Sequence, residues 1–125
     1  MEIKEHFLNN VKTAELISGK ILLHTVEDAI DLIGNLSYLG FDKIILYEKN
    51  ITPEFFNLKN KMAGEILQKF AQYQMALTIV GEFSKFDSKS LNDFIFESNK
   101  GKQINFVANI TITTENNEPL TRVLR

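Results

Sequence analysis

The segment from Ala63 to Ser84 constrains this chain more than any other. Ala63-Gly-Glu-Ile-Leu-Gln-Lys-Phe70 places its apolar residues at helical spacing, and Met75-Ala-Leu-Thr-Ile-Val80 follows without a charge. An amphipathic helix followed by a short apolar run, closed by Gly81, predicts a helix packed on a buried strand. A chain containing this unit builds an α/β layer. No catalytic or cofactor signature sits on the segment, so it speaks to architecture before chemistry.

The pattern extends in both directions. Ile3 to Ile17 alternates apolar and charged residues as half-exposed strands do, Gly19 supplies a turn, and Ile21-Leu-Leu23 is a short extended piece. A first helix is expected from Thr25, with Asp28 completing a capping box and Gly40 ending it. Lys43-Ile-Ile-Leu-Tyr47 is the next strand. Thr52-Pro53-Glu54 reads as a second helix start that takes in Phe55 and Phe56, with Leu58 to about Gln74 helical. Ser88 or Ser90 caps a third helix that turns Leu91, Phe94 and Ile95 inward, and Ile104 to Val107 is a further strand. Beyond Ala108 the expectation is an edge strand over Ile110 to Thr114, a turn at Asn116-Asn117, and a frayed helix turn from Pro119 to Arg125.

These units predict one α/β domain over residues 1–125, with 109–125 as a tail. Its mixed sheet has four to six strands, a parallel core and three main helices, because strands separated by single helices pair in parallel. A chain of 125 residues is long enough to bury a core without metals or disulfides. It has no cysteine, which excludes disulfides, thiolate metal sites and a cysteine nucleophile. Two histidines are too few for a histidine-rich metal cluster, and no metal or other cofactor is expected. The net charge of −2, with both signs interspersed, argues against a nucleic-acid face. No apolar run approaches the roughly 20 residues of a membrane span, and the amino terminus lacks a signal-type apolar core. The expectation is a cytoplasmic protein.

Four linked motifs carry a family resemblance. They are Phe55-Phe56-Asn-Leu58, Met62-Ala-Gly-Glu-Ile-Leu-Gln-Lys-Phe70, Ile79-Val-Gly-Glu-Phe-Ser84, and Ser88 through Gly101. In that order they resemble the bacterial family domain of unknown function 4180 over roughly residues 10 to 107. The resemblance implies a small bacterial α/β protein with no assigned activity. Asn60-Lys61 stands where such families tend to carry a Thr-Gly pair. A more distant likeness is to the STAS domains of anti-sigma-factor antagonists. Their phosphorylatable Asp-Ser motif is replaced here by Tyr47-Glu-Lys-Asn-Ile-Thr52.

Candidate site residues each carry a plain and a functional reading. Glu65 lies between Lys61 and Lys69 at i, i+4 spacing, which suits a solvated charge ladder more than a working carboxylate. Gly64 in a helix suggests close backbone approach, so that Gly64→Val would destabilise the fold. Ser84, Lys85, Ser88, Lys89 and Ser90 precede or open the third helix, where amides and lysines suit an anion and serines suit caps. Glu48, Glu54, Glu65 and Glu82 could gather at one end of the sheet as an acid cluster. His6 and His24 are expected to be structural or exposed. Phe83, Phe86 and Phe96 look left over once the helices fill their inward faces, which predicts a homodimer interface or cover by the tail.

No residue qualifies as catalytic from sequence. The favoured expectation is a non-enzymatic regulatory or protein-interaction module of STAS-like character. The rival is a small-molecule or nucleotide-binding protein, enzymatic or not, with its pocket between the loops after Tyr47 and Val80.

Overall fold

The computed structural model describes the backbone of residues 1–113 and 119–123 and the side chains of residues 1–110. The first two strands, β1 (Glu2–Leu8) and β2 (Val11–Ile17), form an antiparallel hairpin. Asn9 and Asn10 close it with φ of 51° and 67°, as a two-residue turn with positive φ at both positions requires. Helix α1 (Val26–Tyr38), strand β3 (Lys43–Tyr47), helix α2 (Met62–Gln72), strand β4 (Ala76–Val80), helix α3 (Lys89–Asn99) and strand β5 (Ile104–Val107) follow in alternation. The sheet order is β1-β2-β3-β4-β5, with every pair from β2 onward parallel. The protein is therefore a single α/β domain with a mixed, mostly parallel sheet and three helices.

Because spatial order equals chain order, the three crossovers advance in one direction, and their common hand sends every helix to the same face of the sheet. The core has that composition. Ala29, Ile33 and Leu36 of α1, Ala63, Ile66 and Phe70 of α2, and Leu91 of α3 pack with Ala14, Leu16, Ile44, Leu46, Leu77, Ile79 and Phe106. Residues of the opposite parity, Ile45, Tyr47 and Val80, belong to a second cluster with Ile110, joined by Leu8, Ile17 and Val107. Ile110 lies on β6 (Asn109–Thr113), which pairs antiparallel with β7 (Pro119–Val123).

Local chemistry sets the helix ends. Thr25 Oγ1 accepts from Asp28 N–H at 3.1 Å, while Asp28 Oδ2 accepts from the N–H groups of Thr25 and His24 at 3.3 and 2.8 Å. At the other end Gly40, with φ of 90°, donates to Ser37 C=O, and Phe41 N–H donates to Leu36 C=O. This is a Schellman closure, with Phe41 and Leu36 both buried. The same closure ends α2, where Gln74 (φ 56°) donates to Ala71 C=O and Met75 to Phe70 C=O. Ser88 rather than Ser90 caps α3, its hydroxyl accepting from Leu91 N–H at 3.2 Å.

Three expectations are corrected. Thr52 makes no side-chain cap, and Pro53–Phe56 and Leu58–Asn60 are separate 3₁₀ turns, so α2 starts only at Met62. Short Asn bonds interrupt the helix: Asn57 Oδ1 accepts from Lys59 N–H, Asn60 Oδ1 accepts from Met62 N–H, and Lys61 turns left-handed. Residues Pro119–Val123 form a strand paired to β6 instead of a helix turn. The Asn116-Asn117 turn lies outside the described residues. Gly64 meets no close approach, since a Cβ placed there would find no atom within 4 Å. Its glycine carries a helix penalty with no packing return. Gly64→Ala should accordingly raise unfolding stability by up to about 1 kcal/mol, read as a higher denaturant midpoint at unchanged slope.

Candidate functional site

The carboxyl ends of β2, β3 and β4 meet around a concavity of about 360 Å³. Ile17, Tyr47 and Val80 contribute apolar surface, and Ser18, Glu48, Lys49, Gly81, Glu82 and Lys85 complete the lining. Each apolar member has the parity that faces away from the helices. The site therefore lies on the helix-free side of the sheet, at the end where parallel strands hand over to loops.

Glu48 and Gly81 form the tightest point. They follow directly on the paired residues Tyr47 and Val80, so the two strand ends run out side by side. A Cβ on Gly81 would stand 2.6 Å from Glu48 Cβ and 2.6 Å from its Oε1. Glycine is needed here because the neighbouring side-chain root occupies the space. Lys85 Nζ then pairs with Glu48 Oε2 at 2.5 Å and also lies 5.3 Å over the Phe86 ring. With the lysine half exposed, that ion pair contributes no more than about 1 kcal/mol and serves mainly to orient the carboxylate.

Asn50 fixes the adjoining loops. Its side chain is fully buried, and Nδ2 donates to Ser18 C=O and Lys20 C=O at 2.8 Å each. Its backbone C=O accepts from Leu22 and Leu23 N–H, which holds the segment after β2 against the segment after β3. Beneath the concavity, buried Glu15 accepts from Tyr47 O–H and from His6 Nε2–H, the latter at 2.8 Å. The phenol at the floor is thus anchored by a carboxylate below it.

A second concavity of about 460 Å³ lies on the same face, against β5 and β6. Lys43, Ile45, Thr78, Asn99, Asn105, Val107, Asn109 and Ile110 line it. Burial pushes the Lys43 ammonium below the ordinary lysine value of 10.5.

The candidates from sequence scatter over the molecule. Glu65 is exposed on α2, and no ion pair among the described residues joins it to Lys61 or Lys69, the latter reaching Gln72 instead. Ser84 and Ser90 are exposed, and Lys89 pairs with Asp93 at 2.7 Å. With Lys85 on Glu48, the lysines turn to carboxylates and do not converge on the start of α3. Of the four glutamates, only Glu48 and Glu82 line the concavity. The Glu54 carboxylate lies by the Asn60 amide in its own turn, and Glu65 is on α2. Among the described residues no three acidic or histidine side chains gather as a metal site would need. His24 is exposed beside Asp28.

Phe83 and Phe86 are not surplus. They flank one 3₁₀ turn, whose three-residue period puts both on one side. Phe86 stacks on Phe56 with centroids 5.0 Å apart, and Phe83 meets Phe106 edge-on at 5.3 Å. Both join the margin of the core. Phe96 remains 65% exposed, with Lys100 Nζ 4.9 Å above its ring. Sequence reasoning missed Tyr47, Lys49 and Gly81 as lining residues. The signal available was their position at the ends of two adjacent apolar runs.

The chain belongs to the family described as Domain of unknown function (DUF4180), whose model matches residues 8–116. Neither the curated proteins nor the solved structures give a match. No helix among the described residues is long and apolar enough to cross a membrane.

Two substitutions probe this geometry. Gly81→Ala forces Glu48 out of place and should cost about 1–3 kcal/mol by denaturant titration, the usual range for overpacking. Lys43→Met should raise the melting temperature, because the charged amine is disfavoured where it stands. The sign follows from linkage: with the folded pKa below the unfolded 10.5, the penalty is full at pH below the folded value. It fades as pH rises through the folded value toward 10.5, so the advantage of Lys43→Met should shrink over that interval.

Proposed function

We propose that this protein binds a small neutral or zwitterionic molecule at the carboxyl ends of β2, β3 and β4. The observation that carries the reading is the charge pattern of the roughly 360 Å³ concavity. Two glutamates and two lysines line it over an apolar floor of Ile17, Tyr47 and Val80. A balanced rim disfavours a polyanion such as a nucleotide triphosphate and suits a head group offering both a donor and an acceptor. The inward turn of Phe83 and Phe86 adds support, because the Glu82–Ser90 loop presents a concave polar lining instead of a convex aromatic patch.

A screen of neutral and zwitterionic fragments followed by backbone amide shifts tests this. Hits should move the amides of Ser18, Lys49, Gly81 and Glu82, and Lys85→Ala should weaken them by about tenfold through loss of a charge-assisted contact. A library that leaves those amides unmoved, or hits indifferent to Lys85→Ala, would overturn the reading.

The second reading is a bacterial, cytoplasmic protein-interaction module of STAS-like character, acting as a homodimer. It rests on the exposed rings of Phe96, Phe7 and Tyr38, which are 65%, 63% and 90% accessible. Light scattering distinguishes it: a mass near twice the 14.3 kDa chain, halved by Phe96→Glu, supports it, and a monomer at all concentrations removes it.

A further inference from the structure

Four of the twelve lysines of this protein meet a carboxylate among the described residues. Lys12 Nζ donates to Leu39 C=O at 2.8 Å and lies near Glu5, Lys85 meets Glu48, Lys89 meets Asp93, and Lys100 meets Glu97. Lys43 is half-buried in the β5-side concavity and has no ion pair or hydrogen bond among the described residues. The described lining of that concavity holds no carboxylate. Its polar members are neutral, and Asn99 is fully engaged with the Phe106 backbone through both its oxygen and its nitrogen.

A cation held on a sheet face at a cost, beside a hydroxyl and an apolar wall, has no counter-ion among the described residues. A carboxylate partners an ammonium more strongly than water does. The volume of about 460 Å³ accepts a small organic molecule and is too small for a macromolecular segment of any length.

We propose that this concavity is a binding site for a small organic carboxylate, its acid group on the Lys43 ammonium and the Thr78 hydroxyl, its apolar part against Ile45, Val107 and Ile110. The site is separate from the one at the carboxyl ends of the strands and asks for a different ligand charge. Burial that lowers the amine's pKa is the cost such a site carries while empty, and a bound carboxylate relieves it.

Benzoate is the probe, with benzamide as its uncharged counterpart, both titrated into the full chain and followed by backbone amide shifts. Benzoate should move the amides of Lys43, Thr78 and Asn105 and bind at least about tenfold more tightly than benzamide, as expected for one charge-assisted contact. Lys43→Met should abolish that preference while leaving the remaining amide pattern intact, and Lys43→Arg should keep most of it. Three results would each overturn the proposal: no movement of those amides at roughly 10 mM benzoate, equal binding of benzamide, or a preference that survives Lys43→Met. Shifts confined to Ser18, Lys49 and Gly81 would also overturn it, since they belong to the other concavity.

Discussion

One-directional winding is the constraint on which the rest depends. Each βα unit adds its strand to the same edge of the sheet, so β2, β3, β4 and β5 stand in chain order. With a fixed crossover hand, α1, α2 and α3 share one face. A parallel sheet usually has helices on both faces, and its strands then read as continuous apolar runs. Here no helix among the described residues lies on the second face, and the β6–β7 pair reaches it through Ile110. Both concavities open on that face because no helix among the described residues fills it.

The strand ends show how the same constraint shapes a site. Without a reversal of strand order there is no crevice between diverging loops, the usual position for a ligand in open α/β sheets. The concavity is made instead by the loops after β2, β3 and β4 rising beside the sheet's bare surface. That arrangement needs adjacent strand ends to leave side by side, and the close approach of Glu48 to Gly81 is where they do. Asn50, clamped on two carbonyls of the preceding loop, keeps the rim from spreading.

Much of the architecture was legible in the sequence because its signals are local. Thr25 and Asp28 are three residues apart, so the box that starts α1 is written in adjacent letters. The apolar runs at Ile44–Tyr47 and Ala76–Val80 likewise identify β3 and β4 alone. What failed to read through was contact between distant positions. Phe83 looked superfluous because its partner Phe106 is 23 positions on, brought near only when β5 pairs with β4. Gly64 looked like a packing device because a helical glycine has a known cost, but cost alone names no neighbour. Gly81, where an added Cβ would clash with Glu48, sat at a strand end where a turn was explanation enough. The start of α2 was misplaced since Pro53 and Thr52 imitate a helix start that the Asn57 and Asn60 side chains then interrupt.

The two faces of the sheet hold the remaining clue to function. On the helix side the strands offer Ala14 and Leu16, Ile44 and Leu46, Leu77 and Ile79, Ile104 and Phe106, with the Lys12–Glu5 pair at the hairpin edge. On the other side the same strands offer Thr13, Glu15, Lys43, Tyr47, Thr78 and Asn105 among a few aliphatics. Glu15, Thr13 and Thr78 are buried there, and Lys43 is half-buried. Polar and charged groups on a sheet surface cost stability unless each is bonded, and a face needed only for folding would carry aliphatic residues at those positions. Stability alone therefore accounts for the helix face and leaves the other unexplained. The ligand recognition we propose accounts for it, because a molecule bound on that surface would find donors, an anchored phenol and a cation already in place.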